Sequence, residues 1–210
     1  EDYTRGEYMV DLMKGSDPAA LDRLTTKVSA MTGLDPAYVR RAGGRLETQS
    51  FLREVFRDKG RLGSRYDSNV TSLDPFPNAP EQEVNDPILD AIIAPTTSAV
   101  VDFTTRVVGW KPEGRYDALS DVVNRNWDRG RGPDTESVSD LRKIVSVDPK
   151  LKVLIVHGYN DLSCPFFASR LIVDAMPTAA SGRVNLALYP GGHMFYSRPD
   201  SGAAFRRDVM

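Results

Sequence analysis

The sequence predicts an α/β chain, a parallel-sheet end joined to a mainly helical region, and three observations carry that reading. Val-Leu-Ile-Val-His-Gly-Tyr-Asn-Asp-Leu-Ser-Cys-Pro, residues 153–165, is an apolar run that stops at a Gly-containing loop. Leu-Tyr-Pro-Gly-Gly-His-Met-Phe-Tyr, residues 188–196, closes a second run in the same way. Short apolar runs bounded by Gly and Pro read as buried parallel strands. Everything before residue 60 carries helical spacing with separate caps instead.

Residues 3 to about 60 read as short helices. Tyr8, Met9, Leu12 and Met13 share a face before Gly15. A capped helix then starts near Ser16 or Asp17 with Pro18 in its first turn, and runs through Leu21, Leu24, Val28 and Met31 to Gly33. Asp35-Pro36 opens another to about Arg41, and residues 48–59 place Phe51, Leu52, Val55 and Phe56 on one face before Gly60. These stripes are packing faces of a small bundle. Residues 61–85, rich in Gly, Pro, Asn and Asp, read as a loop, with Arg61, Arg65, Asp67 and Asp74 solvated or ion-paired. Asn69-Val70-Thr71 matches the N-glycosylation pattern, a short and accidental match.

Asp86-Pro87 starts a long helix through Ile88, Leu89, Ile92 and Ile93, kinked near Pro95 and reaching Trp110. Residues 111–134 read as irregular, with the Arg-Gly-Arg-Gly-Pro run at 129–133 as an exposed loop. A helix over 136–145 leads to a strand over 152–157, a helix over 166–175, a strand over 183–189 and a terminal helix from about 201. That βαβα order makes the two strands parallel with a right-handed crossover. The division is a helical cap-like segment, 1–112, and the sheet-bearing part, 113–210.

Composition excludes several classes. The 27 basic and 29 acidic side chains leave a net charge of -2, with no electrostatic case for nucleic acid. No apolar run approaches the roughly 20 residues of a membrane span, and no signal-peptide pattern opens the chain. Cys164 is the sole cysteine, so an internal disulfide is impossible. The chain opens Glu-Asp-Tyr without an initiator Met, which suggests a processed or cut polypeptide. No cofactor or metal site is expected.

Asp161 and His193 stand just past the two strands, 32 residues apart. Each has a plain alternative: Asn160-Asp161 as an Asx turn, and His193 as a loop histidine satisfied by backbone. Together they favour a relay, because an acid then a histidine at the carboxyl edge of neighbouring parallel strands can orient an imidazole for general-base work.

Gly158-Tyr-Asn-Asp161-Leu-Ser-Cys-Pro-Phe-Phe-Ala168 and Gly192-His193-Met194-Phe-Tyr196 resemble the acid and histidine motifs of the serine carboxypeptidase family, particularly its bacterial members. Thr32-Gly33-Leu34 with Val39, residues 51–60, Gly63-Ser-Arg-Tyr-Asp67 and Asp148-Pro149-Lys-Leu-Lys-Val153 are similar to its helical insertion and its approach to the acid-bearing strand. The resemblance implies the C-terminal portion of an α/β-hydrolase with a helical cap and an incomplete sheet. It implies Asp161 as triad acid, His193 as general base, and Tyr159, Cys164 and Met194 near the substrate pocket. Cys164 reads equally as a small buried apolar side chain, and Met194 equally as packing. It also implies release of C-terminal residues from peptide substrates through an acyl-enzyme, and an exported protein.

The departure is the nucleophile. No Gly-x-Ser-x-Gly elbow occurs in residues 1–210, and Gly15-Ser16-Asp17 and Gly63-Ser64-Arg65 read as caps or loops without a preceding strand. The expectation is therefore a C-terminal half, inactive alone, whose open sheet edge takes either the missing N-terminal half or a second copy. An esterase, an acyltransferase, another serine peptidase, or a non-catalytic interaction module on the same fold remain open.

Overall fold

The computed structural model describes residues 1–78, 86–111, 113–130 and 136–210. It shows a mixed chain in which helix outweighs strand, with two two-stranded sheets among the described residues. The expected boundary at residue 112, the end of the 61–85 loop and positions 131–133 of the arginine run lie outside the described residues.

A π-helical turn, Thr4–Tyr8, leads into α1, Met9–Met13. Met9 and Met13, expected on a packing face, are exposed, and the residue α1 buries is Asp11, which accepts from Arg23. Helix α2, Pro18–Thr32, starts where the Asp17 carboxylate accepts from the Ala20 N–H at 2.8 Å and ends on Gly33 at φ 76°. Its buried stripe is Ala20, Leu24 and Val28; Met31 falls off that stripe and is exposed. Helix α3, Pro36–Arg41, and helix α4, Thr48–Glu54, complete the bundle. Val28, Leu34 and Val39 form its core, with Tyr8, Tyr38, Leu46, Phe51 and Val55 packed around them.

The loop expected at 61–85 is corrected at its start. Strand β1, Arg61–Gly63, pairs antiparallel with β2, Thr71–Leu73. Three-residue strands are too short to show an alternating pattern; tertiary contacts make them. Gly63 packs so tightly on Leu52 and Phe56 that a Cβ there would stand 2.9 Å from both side chains. Arg53 of α4 is fully buried, with Nε 3.1 Å from Asp74 just past β2.

Asp86 then caps α5, Pro87–Asp102, which passes through Pro95 and continues as a π-helix, Phe103–Val108. The hydroxyls of Thr104 and Thr105 donate back to the Val100 and Val101 carbonyls at that change of winding. The expectation of no span-length stretch is corrected: Pro87–Val108 is 22 residues, long and apolar enough to cross a bilayer, and none of its most apolar window is buried. Asp90, Pro95-Thr96-Thr97-Ser98 and Asp102 interrupt that length in the sequence.

The irregular region holds one helix the sequence reading missed, α6, Asp121–Asn126, capped by Ser120. Helix α7, Val138–Val147, starts two residues later than expected, with the Glu136 carboxylate accepting from the Val138 and Ser139 N–H groups. Strand β3, Val153–Gly158, pairs parallel with β4, Val184–Tyr189, and α8, Phe166–Asp174, lies between them in the chain. Val153, Ile155 and Val184 pack with Leu141 and Val145 of α7 and Val173 of α8.

The expectation of fully buried strands is corrected: β3 and β4 are mostly half-buried. Among the described residues each pairs only with the other, so both outer edges lack a neighbour. Helix α9, Pro199–Val209, closes over the end of β4, where Tyr189 stacks on Phe195 at 4.8 Å and donates to Asp208 at 2.6 Å.

Candidate active site

The register Gly158↔Tyr189 ends both parallel strands at the same level, so the two following loops leave one sheet edge side by side. They meet backbone to backbone. The Tyr159 N–H donates to the Tyr189 carbonyl at 3.0 Å and the Asn160 N–H to the Gly191 carbonyl at 2.9 Å. A Cβ at Gly158 would stand 2.1 Å from the Gly192 carbonyl oxygen, so only glycine lets the loops come this close.

Asp161 is buried and divides its two oxygens between two jobs. Oδ1 accepts from the backbone N–H groups of Ser163 at 2.8 Å and Cys164 at 2.9 Å, which is the Asx turn. Oδ2 accepts from His193 Nδ1 at 2.9 Å. The turn and the pairing, alternatives in the sequence, hold together in one carboxylate: the turn locks the side chain that the imidazole needs. Because a carboxylate only accepts, Nδ1 carries the proton and Nε2 is left as the basic nitrogen. The His193 side chain is 43% exposed, so Nε2 faces a region open to solvent.

The segment after β1 forms a third wall that sequence reasoning left as a solvated or ion-paired loop outside the site. The Tyr66 carbonyl accepts from the His193 N–H at 2.6 Å, the Arg65 carbonyl from the Leu162 N–H at 2.9 Å, and the Asn160 carbonyl from the Ser68 N–H at 3.0 Å. The Tyr66 ring stands edge-on to His193 with centroids 5.5 Å apart. Asp67, buried, accepts from Arg198 at 2.7 Å. Residues 65–68 thus strap the acid loop to the histidine loop. The available signal was the Gly63-to-Asp67 motif, which the resemblance placed in the cap instead of at the site.

His157 was read only as the end of its strand, yet it braces the acid loop. Its Nδ1–H donates to the Cys164 carbonyl at 3.0 Å, and its Nε2 accepts from the Ser169 hydroxyl at 2.9 Å. Among the pocket residues expected, Tyr159 is exposed and edge-on to Phe166, and Met194 is half-buried. Cys164 is exposed, which corrects its reading as a buried apolar side chain; it sits on the outer turn before α8, ahead of Pro165. Its sulfur still lies close to the pair. Cys164, His193 and Asp161 each offer one atom within 4.8 Å of the others.

Ser64 does not serve as the nucleophile. It is fully buried, its hydroxyl donates to Asp86 at 2.6 Å and accepts from the Tyr66 N–H at 3.0 Å. An open cleft of about 640 Å³ is lined by Tyr66, Leu89, Leu119, Val123, Trp127 and Arg129 among others, and by neither Asp161 nor His193. Tyr66 links the two, lining the cleft and touching the His193 ring.

Comparison with known proteins finds no matching protein family, no matching curated protein and no matching solved structure.

Proposed function

We propose that this chain carries the acid and the general base of a serine carboxypeptidase-like hydrolase of the α/β-hydrolase class. One observation supports it above the rest: a buried Asp161 bonded to His193 Nδ1 at 2.9 Å, on adjacent loops after parallel strands. In such a relay His193 Nε2 takes the proton of an attacking hydroxyl, and Asp161 keeps the ring in the needed tautomer and stabilises the imidazolium that forms. The cleft beside Tyr66 offers room for a peptide.

The attacking serine and the oxyanion hole come from outside these residues, since no Gly-x-Ser-x-Gly occurs and Ser64 is sealed off. A base with no hydroxyl to deprotonate lacks the largest stabilising contributions to catalysis. The unpaired edges of the β3–β4 sheet suit a neighbouring strand that brings them, or a second copy.

The test is to express residues 1–210 alone and joined to the polypeptide encoded directly upstream, with a blocked dipeptide as substrate. The joined protein should release the C-terminal residue and lose that activity in His193→Ala and Asp161→Ala. His193-dependent release by the isolated chain would overturn the need for an outside nucleophile. No release by the joined protein would overturn the hydrolase reading.

A further inference from the structure

We infer that Asp161, Cys164 and His193 form a binding site for a thiophilic divalent cation, zinc by chemistry. The thiolate sulfur, one imidazole nitrogen and one carboxylate oxygen lie mutually within 4.8 Å. In a tetrahedral zinc site, with Zn–S about 2.3 Å and Zn–N and Zn–O about 2.0–2.2 Å, neighbouring ligand atoms stand roughly 3.3–3.8 Å apart. Closing the set therefore takes a movement of about 1 Å.

The structure shows which parts would move. Asp161 is the fixed ligand, locked by the Ser163 and Cys164 N–H groups. Cys164 and His193 are both exposed, so their side chains can turn without disturbing a packed core, His193 giving up its bond to Asp161 as it does so. The backbone around them is held: His157 bonds the Cys164 carbonyl and Tyr66 the His193 N–H. Two adjustable arms and one fixed arm on a braced frame make a three-ligand site, with a fourth position open to water. Sulfur plus imidazole selects zinc over magnesium or calcium, which take oxygen ligands.

Binding exchanges the Cys164 thiol proton for the ion, the buffer taking up that proton, and it replaces the His193 Nδ1–H bond to Asp161, the ring keeping its proton on the nitrogen that does not bind the metal. It also occupies the imidazole and carboxylate of the relay. That catalytic consequence rests on the hydrolase reading; the binding itself does not. Zinc would then hold the hydrolase silent until chelation removed the ion.

The test uses the untagged, reduced, metal-free chain. Calorimetric titration with zinc should give one equivalent, with proton release seen as a buffer-dependent heat. Cobalt should give a thiolate-to-metal absorption band that zinc displaces and magnesium does not. Cys164→Ser should abolish the band and weaken zinc binding by more than about 100-fold, since even outer-shell partners account for about 10–100-fold. His193→Ala should weaken it comparably, with both variants keeping the native circular dichroism spectrum. No saturable zinc binding, or binding unchanged in Cys164→Ser, overturns the site. If zinc binds but the joined protein described above has no activity, the metal site stands and the hydrolase reading falls.

Discussion

Gly192→Ala tests the idea that residues 65–68 strap the two site loops together. A Cβ at Gly192 would stand 1.9 Å from the Tyr66 carbonyl oxygen and 2.5 Å from Asp67 Cβ. An ordinary contact needs about 3.5 Å, so the strap must retreat by roughly 1.5 Å. That movement breaks the 2.6 Å bond from the His193 N–H to the same carbonyl and strains the two bonds beside it, at Leu162 and Ser68. Three backbone bonds at about 0.5–1.5 kcal/mol each give a loss of about 1.5–4.5 kcal/mol. The lower entropy of the unfolded alanine chain returns about 0.4–1 kcal/mol, leaving a net cost of about 1–4 kcal/mol. With a urea slope of about 2 kcal/mol/M, the unfolding midpoint falls by roughly 0.5–2 M.

Gly182→Ala is the matched control. Gly182 has φ +72° and open space around it, so an alanine there meets backbone strain and no steric conflict. Amide spectra separate the two variants. Gly192→Ala should shift Tyr66, Leu162, Ser68 and His193 together, and Gly182→Ala should leave those four in place. A midpoint unchanged in Gly192→Ala, with the four amides unmoved, would refute the strap.

Three more expectations follow from burial and pairing. Asp74→Ala removes the carboxylate 3.1 Å from the buried Arg53 guanidinium, so it should lower the urea unfolding midpoint, while Arg53→Met combined with Asp74→Leu should recover much of that; equal midpoints for single and double variants would contradict it. Burial, then the Asp208 hydrogen bond, pushes the Tyr189 hydroxyl from its ordinary 10.0 up to about 12. A raised acid favours the folded state in its protonated form, so this contribution is complete below about pH 10 and lost between about pH 10 and 12. Urea midpoints should fall more steeply over that window in the native chain than in Tyr189→Phe; parallel curves would remove Tyr189 as the cause. The unpaired edges of β3 and β4 predict association that grows with concentration in light scattering of the isolated chain, and a monomer at every concentration would count against it.

Local chemistry made much of this chain legible in advance. Asp17-Pro18 with Gly33, Asp35-Pro36 and Asp86-Pro87 mark helix ends because a carboxylate at the cap and a proline in the first turn act within four residues. The two apolar runs and their glycine loops placed Asp161 and His193 at one edge of a parallel pair, since strand direction follows from the intervening helix. What escaped was whatever depends on distant residues. Strands β1 and β2 exist because Gly63 fits against Leu52 and Phe56, and no three-residue stretch announces that. The strap at 65–68 reaches His193 through backbone carbonyls, which carry no side-chain signature.

By itself, then, the sequence determined the capped starts of α2, α3 and α5, the parallel pair and the position of Asp161 and His193 just past its two strands, because caps, glycine loops and hydrophobic period are short-range properties. Only the tertiary structure decided that Asp161 serves turn and imidazole at once, that Cys164 stands exposed beside them and that Ser64 is sealed away. Those outcomes depend on how three loops from separate parts of the chain bond to one another through their backbones, which no local pattern encodes.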